Sequence, residues 1–290
     1  MTINIAANQV KTLREMTGVG MMECKKALIE TNGDLDKAII WLREHGMARA
    51  AKKSERVASQ GMIDVQVSKD RKSAVIMELN CETDFVAKND DFIRFVKSVS
   101  ELALAKNAKT TDELNAQKMS DGHTVKDALT NLIAKIGENM QLRRVQHFAV
   151  QNGFITGYIH FGNKIGTVVV IEGPVSAQAE EIGKDVAMHV AAANPKYLCP
   201  SCVSKEELEQ EKEISRKKLA DQKKPANILE KIVEGQMAKF YKEVCLLEQG
   251  FVKDPDTSIQ GYIKQSSLPI KITAFARFQV GEGTEKKSED

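Results

Sequence analysis

The same succession of predicted elements, a β-hairpin followed by helix and then by a third strand, occurs twice in this chain. The strands of the first copy are predicted at residues 62–67, 74–79 and 141–150, and those of the second at 154–161, 165–171 and 270–280. Strands that come in hairpins, rather than alternating singly with helices, favour antiparallel sheets. We therefore predict an α+β protein whose core consists of two related α+β subdomains with antiparallel sheets.

Residues 1–53 are predicted to be helical and to form a separate N-terminal domain. Apolar residues recur at helical spacing in three segments, Met16 and Met22 among them, and glycine-containing turns separate the segments. Asp34 stands where it can cap the third helix. Three short helices joined by such turns predict a small bundle with a thin core.

The second copy of the repeat contains a polar insertion at about 198–240. Of the 20 residues from Lys205 to Lys224, 13 are charged, and Lys224-Pro225 is predicted to end a helix. Apolar spacing resumes at 228–240, which predicts a helical hairpin. This hairpin either supports the domain or acts as an interaction arm or dimerisation element. The predicted boundaries are 1–53 for the N-terminal domain, 54–140 and 141–280 for the core subdomains, and 281–290 for a C-terminal tail.

Charge and motifs argue against several classes of function. The formal net charge of +2 gives no overall electrostatic footprint for nucleic acid, so direct binding of nucleic acid is not expected. No apolar run approaches the length of a membrane span, and Met1–Ile5 lacks the pattern of a signal peptide, so we expect a cytoplasmic protein with no membrane contact. There is no phosphate loop, nucleophile elbow or zinc-protease motif, and the histidines form no spaced cluster. No nucleotide, cofactor or metal site is therefore expected.

The cysteines are an odd and sparse set of five, typical of cytosolic thiols rather than of a disulfide framework. Cys199-Pro200-Ser201-Cys202 is the one spacing that suggests chemistry, because such a pair can do redox chemistry or supply half of a zinc site. No second pair accompanies it, and it follows a predicted helix instead of a βα crossover. We interpret Cys199 and Cys202 as loop thiols, and a thiol oxidoreductase remains the enzymatic alternative.

The segment Asn80–Asn89 lies between the end of a strand and the start of a helix, where loops carry function. Phe85 stands there among polar residues. One interpretation caps a helix at Thr83 or Asp84 and buries Phe85 in the core. The other exposes Asp84 and Phe85 as a wedge into a partner, the ring supplying buried area and the carboxylate perturbing charge.

Five motifs, in order along the chain, resemble those of the bacterial elongation factor Ts family. They are Thr17–Leu28, Thr83–Asn89, Lys135–Asn139 with Arg143-Arg144, Ala187–Ala192 and Val233–Met237. Each motif alone is weak, but the ordered set is specific. The resemblance implies a guanine-nucleotide exchange factor in translation. Such a factor binds elongation factor Tu with GDP, promotes GDP release by disturbing the magnesium and phosphate site, and stays bound until GTP enters. It needs no cofactor and performs no covalent catalysis.

The resemblance also implies details of fold and site. It makes the N-terminal helices a ubiquitin-associated-like domain and the helical hairpin a coiled coil. The residues that would dislocate magnesium are Thr83, Asp84, Phe85 and Val86, with Asp84 and Phe85 intruding into the GTPase. The residues that would bind the partner are Lys11, Arg14, Met21, Met22 and His160. The Cys199/Cys202 pair is not a motif of the family.

Two further possibilities concern assembly and partners. One is that the factor forms a dimer, or that two factor–GTPase pairs do, through the core or the helical hairpin. A structural adaptor, with residues 1–53 as a peptide- or ubiquitin-like-binding module, is the non-enzymatic alternative to exchange.

Overall fold

Three helices form the N-terminal bundle in the computed structural model, which describes residues 5–219 and 225–284. They are α1 (Ala7–Thr17), α2 (Met21–Glu30) and α3 (Leu35–Lys53). The predicted cap is confirmed, because the side chain of Asp34 accepts a hydrogen bond from the amide of Lys37 at 3.0 Å. Residues 1–4 of the predicted domain lie outside the described residues.

The core of this bundle is smaller than the helical spacing suggests. Leu13 and Leu28 are fully buried, whereas Met16 and Met22 are 59% and 76% exposed. Helical spacing gives the face on which a side chain lies, but only the neighbouring helices decide how much of that face is covered. Both methionines therefore lie on the surface.

Helix α3 attaches the bundle to the core by packing against α7 (Val125–Ile136). A Cβ atom at Gly46 would lie 3.0 Å from the Cβ of Ala134, so the two helices approach closely at a glycine. At the end of α3, Lys53 Nζ donates a hydrogen bond to the carbonyl of Gly137 at 2.7 Å. Packing and hydrogen bonding together fix the bundle against the first core subdomain.

The first antiparallel sheet has the strand order β1–β2–β3. Its strands are β1 (Gln60–Val67), β2 (Ser73–Cys81) and β3 (Met140–Ala149). Helices α5 (Asp90–Lys106) and α7 cover one face through a shared apolar core. The predicted boundary after residue 140 is wrong for β3, because this strand forms its hydrogen bonds with β2 and belongs to the first sheet.

The second antiparallel sheet repeats this arrangement with the order β4–β5–β8. Its strands are β4 (Gly153–Ile159), β5 (Ile165–Glu172) and β8 (Lys271–Gln279), and helix α8 (Ala177–Ala193) packs on β4 and β5. The ladder shifts register at Val170/Ile171, as the first sheet does at Glu78/Leu79. The α+β class with antiparallel sheets is confirmed.

The two sheets pack face to face, with their helices on the outer sides. The core between them contains Ile63, Ala74 and Ile76 from the first sheet and Ile155, Val168, Val170, Ala276 and Phe278 from the second. A Cβ at Gly157 or Gly166 would collide with the side chains of Val65 or Ile63. Glycine at these two positions therefore allows the sheets to approach closely.

Equivalent hydrogen bonds join the hairpin turn of each sheet to the opening strand of the other. The four bonds are Ile63 N to Asn163 O at 2.8 Å, Ile155 N to Arg71 O at 2.8 Å, Lys164 Nζ to Gly61 O at 3.1 Å and Lys72 Nζ to Gly153 O at 2.6 Å. At Gly61 and Gly153 a Cβ would overlap the carbonyl oxygen of the paired strand. Both glycines thus serve the same purpose in the two copies, which is to let the strands pair at the start of each hairpin.

The predicted helical hairpin corresponds to helices α9 (Lys205–Leu219) and α10 (Ala226–Val244). They pack through Leu219, Val233 and Met237, and Arg216 of α9 lies 3.5 Å from Glu230 of α10. Helix α10 continues beyond the predicted end at residue 240. Of the predicted break at Lys224-Pro225, Lys224 lies outside the described residues, and Pro225 immediately precedes α10.

Short elements are absent from the prediction because they contain too few turns to show a period. They are α6 (Thr111–Asn115), β6 (Gly250–Phe251), β7 (Asp254–Ser258) and α11 (Ile259–Gln265). Helix α4 (Asp84–Ala87) is a single turn that follows the cap predicted at Thr83. Of the predicted tail, residues 281–284 are described, and the amide of Gly281 donates to Glu78 at 2.9 Å. None of the helices in the described part of the chain is long and apolar enough to span a membrane.

Candidate partner-binding loop

One turn of helix, α4, displays Phe85 at the end of strand β2. The hydroxyl of Thr83 caps this turn by accepting a hydrogen bond from the amide of Val86 at 3.3 Å. Val86 is only 7% exposed and anchors the turn, whereas Phe85 is 81% exposed. The predicted cap at Thr83 is therefore confirmed, and the interpretation that buries Phe85 in the core is wrong.

The backbone of this loop is held from behind by Glu138. Its carboxylate accepts hydrogen bonds from the amide of Thr83 at 3.0 Å and from the hydroxyl of Thr83 at 2.6 Å. Next to it, the amide of Asn139 donates to Glu82 at 2.5 Å, and the side chain of Asn139 donates to the carbonyl of Arg56 at 2.7 Å. The loop thus presents Phe85 from a fixed backbone.

Sequence reasoning did not assign a role to Glu138. One feature of the sequence points to such a role: Glu138 and Asn139 directly follow Gly137, the glycine that ends α7. The φ of Gly137 is 93°, a left-handed conformation. A helix that stops at a glycine turns its next residues toward a neighbouring element. Glu138 meets Thr83, which lies 55 residues away along the chain. The helical period of α7 alone therefore does not reveal this partner.

Asp84 forms an ion pair at the exposed start of α4. Lys88 Nζ donates to its carboxylate at 2.9 Å, and this hydrogen bond lowers the pKa of Asp84 below its ordinary value. The carboxylate is therefore ionised at neutral pH and lies beside the exposed ring of Phe85. Together they present one apolar group and one negative charge to solvent.

The turn between β4 and β5 lies against the same loop. Lys164 Nζ donates to Gln60 Oε1 at 3.1 Å, and the turn and loop together line a surface cavity of about 320 Å³ that includes Asp84, Lys88 and Asn163. His160 is exposed in this turn, and its Nδ1 lies 3.0 Å from the hydroxyl of Tyr158. The fold therefore brings His160 to the same end of the molecule as the Thr83–Val86 loop.

The remaining predicted contact residues lie on the N-terminal bundle. Lys11 and Arg14 are exposed on α1, and Lys11 Nζ lies 3.9 Å from Glu15. Met21 and Met22 are 51% and 76% exposed at the start of α2. All four side chains are exposed, the two basic ones on α1 and the two apolar ones at the start of α2.

Among the residues that the structure describes, no group of three or more His, Cys, Asp or Glu side chains could hold a metal ion. The features of the loop are an exposed ring, an ionised carboxylate and a rigid backbone, which are the properties of a surface that contacts another macromolecule.

Comparison with known proteins decides the family. The family model for Elongation factor TS matches residues 82–282. Elongation factor Ts of Clostridium botulinum (strain Eklund 17B / Type B) is 49% identical over 291 residues, covering 99% of this chain and 96% of that protein. Elongation factor Ts of Magnetococcus marinus is 48% identical over 292 residues, with the same two coverages. The chain belongs to the elongation factor Ts family.

Elongation factor Ts is a translation elongation factor with a role in nucleotide exchange, and membership of the family implies interaction with elongation factor Tu. The match to the elongation factor Ts model begins at Glu82 and includes the Thr83–Val86 loop, both sheets' final strands and the α9–α10 pair. The N-terminal bundle lies outside that model but inside the region aligned with the elongation factor Ts relatives. The resemblance stated from the sequence motifs is thereby confirmed.

Proposed function

We propose that this protein binds elongation factor Tu in its GDP state and promotes release of GDP. The Thr83–Val86 loop enters the GTPase near its bound magnesium, disturbs the magnesium and phosphate site, and the complex persists until GTP enters. The observation that carries this proposal is the 81% exposure of Phe85 on a loop whose backbone is capped and buttressed. The protein acts in the cytoplasm, where translation takes place.

The energetics of such exchange follow from linkage. A factor that weakens the binding of GDP to a GTPase is itself weakened by GDP to the same degree. Magnesium is the largest local charge beneath the phosphates, so disturbing its ligands removes a major part of the attraction for the nucleotide. No covalent step is needed, because contacts with the GTPase offset the nucleotide contacts that are lost.

A fixed loop suits this mechanism better than a mobile one. Every residue that must be ordered on binding reduces the free energy left to distort the partner. Glu138 and the Thr83 cap order the backbone of the loop before any partner arrives. The contact free energy of Phe85 can then act on the nucleotide site of the GTPase.

The other contact residues belong to the binding step. We assign Lys11, Arg14, Met21 and Met22 to the GTPase domain that holds the nucleotide, and His160 to a second contact beside the loop. Their exposure supports this assignment, since Met21 and Met22 leave more than half of their side chains in solvent. Truncating one such contact is expected to weaken association by about 1–3 kcal/mol.

The test is GDP release from elongation factor Tu loaded with labelled GDP. At a saturating concentration of factor, Phe85→Ala should slow release about tenfold, equal to ~1.4 kcal/mol in the barrier. Val175→Ala, which shortens another exposed apolar side chain, is the matched control and should leave the rate unchanged. With magnesium chelated, much of the Phe85→Ala defect should disappear. A defect of the same size with and without magnesium would rule out action at the metal site.

A further inference from the structure

Two thiols face each other in the turn that leads into α9. Cys199 immediately precedes a single 3-10 turn (Pro200–Cys202) of which Cys202 is the last residue, and their Sγ atoms are 2.8 Å apart. The hydroxyl oxygen of Ser201 lies 3.1 Å from Cys199 Sγ. A disulfide bond is about 2.05 Å long, so joining the two sulfur atoms requires only a small displacement of the side chains.

The rest of the fold holds this turn at both ends. Before it, the carbonyl of Leu198 accepts a hydrogen bond from the amide of Leu247 at 3.1 Å. After it, Val203 is buried in an apolar cluster at the foot of the α9–α10 pair. Within it, the amide of Cys202 donates to the carbonyl of Cys199 at 2.9 Å. The turn itself therefore brings the two thiols together, and tertiary contacts hold the turn in place.

Exposure and acidity separate this pair from the other cysteines. Cys202 is exposed and Cys199 half-buried, whereas the remaining thiols, Cys24, Cys81 and Cys245, are buried. Burial raises the pKa of Cys81 to about 12 and that of Cys245 to about 11, which makes them poor nucleophiles. Hydrogen bonds from the thiol of Cys202 and from Ser201 lower the pKa of Cys199. Cys199 is thus the thiol best suited to attack, and Cys202 is within reach to complete the reaction.

We propose that Cys199 and Cys202 are a reversible redox site that low-molecular-weight disulfides such as oxidised glutathione convert to an intramolecular disulfide. The thiolate of Cys199 attacks one sulfur of the small disulfide, and a mixed disulfide forms as one small thiolate leaves. Cys202 loses its proton and attacks Cys199 Sγ, which releases the second small thiolate. The two protein thiols lose two electrons, the small disulfide gains them, and the two thiol protons end on the two small thiols.

This site is independent of the proposed exchange function. It lies at the root of the α9–α10 pair, whereas the Thr83–Val86 loop extends from strand β2 of the first sheet. The cross-link would close a ring across residues 199–202, within the segment between α8 and α9. Its presence or absence can be measured on the protein alone.

The experiment equilibrates the reduced full chain in mixtures of reduced and oxidised glutathione that cover a wide range of ratios, from strongly reducing to strongly oxidising. The reaction is quenched in denaturant with an alkylating reagent, and each cysteine peptide is quantified by mass spectrometry. Cys199 and Cys202 should lose alkylation together, with one midpoint inside this range, while the other three cysteines stay alkylated. Persistence of both thiols in the reduced form across the whole range would overturn the proposal.

Two variants test the order of attack. Cys202→Ser removes the resolving thiol, so a glutathione adduct should accumulate on Cys199. Cys245→Ser removes a neighbouring buried thiol as the matched control, and the pair should still oxidise. An adduct no more abundant in Cys202→Ser than in the unaltered protein would contradict the mechanism. Protection of the two thiols only after zinc ions are added would instead identify them as metal ligands.

Discussion

The two copies of the hairpin–helix–strand unit differ most in the connection that leaves their second strand. After β2 the first copy forms the capped turn α4, with Phe85 in solvent, before its long helix begins at Asp90. After β5 the second copy reaches α8 through residues 173–176 alone, and its extra length is placed later, in α9 and α10. One sheet scaffold thus supports a short exposed loop in one copy and a projecting helix pair in the other, because connections vary more freely than buried strands.

The copies also differ at one buried position beside the register shift of each sheet. In the first copy this position is Glu78, which is fully buried and receives hydrogen bonds from Arg143 at 3.1 Å and Arg144 at 2.6 Å. In the second copy it is Val170, which is 5% exposed in the core between the sheets. A charged side chain and an apolar side chain therefore occupy corresponding positions in the two sheets. Truncating them should reduce the free energy of unfolding by different amounts.

The largest expected difference is between the exposed and buried rings near the loop. Phe92→Ala should reduce the free energy of unfolding by about 3–5 kcal/mol, because its ring is fully buried. Phe154→Ala, also fully buried, should cost about the same in the second copy. Phe85→Ala should change stability by less than about 0.5 kcal/mol. Urea unfolding measures all three, and a large loss for Phe85→Ala would mean that its ring is packed.

The next effect concerns the buried carboxylate. Glu78→Ala removes the buried carboxylate that pairs with Arg143 and Arg144, whose side chains are 22% and 29% exposed, and we expect a loss of about 2–4 kcal/mol. Val170→Ala removes only apolar contacts and should cost about 1–3 kcal/mol. Added salt should change both losses in urea unfolding only slightly, because the carboxylate of Glu78 is fully buried and salt screens buried pairs far less than exposed ones. Equal losses at every salt concentration would remove the distinction between the two positions.

A smaller loss of stability is expected when the residues that cap α4 and α8 are changed, and only one of these changes should affect GDP release. Thr83→Ala removes the cap of α4 and a hydrogen bond to Glu138, and Ser176→Ala removes the cap of α8. Each should cost about 0.5–2 kcal/mol of stability. Thr83→Ala should also slow GDP release from elongation factor Tu, whereas Ser176→Ala should not, because α8 is remote from the loop. Slow release with Ser176→Ala would show that loss of stability, not loss of loop geometry, lowers the rate.

The smallest effect is the titration of Asp84. Its pKa is lowered by the hydrogen bond from Lys88, so the interaction is fully present above the pKa of an unfolded aspartate, about 3.9, and is lost as pH falls through the lower folded value. Carboxyl chemical shifts should show a midpoint below the usual aspartate value. Lys88→Ala should raise that midpoint, and Lys109→Ala, at a distant exposed lysine, should leave it unchanged. An unchanged midpoint in Lys88→Ala would exclude the ion pair as its cause.

Much of the fold could be predicted because patterns within a few consecutive residues determine its longer helices and strands. Alternation predicts both hairpins, the helical period predicts α5, α7 and α8, and Thr83 has the chemistry of a helix cap. The boundary at residue 140 failed because it cut the repeat before its third strand. The repeat already places residues 141–150 in the first copy, and the hydrogen bonds to β2 confirm that placement.

The sequence by itself determined the longer helices and strands, the turns of both hairpins, and that its motifs are those of elongation factor Ts. Tertiary structure alone decided that Phe85 faces solvent while Val86 is buried, and that Glu138 holds the Thr83 loop. The physical reason is the range of the interactions. Periodicity and capping act within a few residues, whereas burial depends on which distant segments cover a given face.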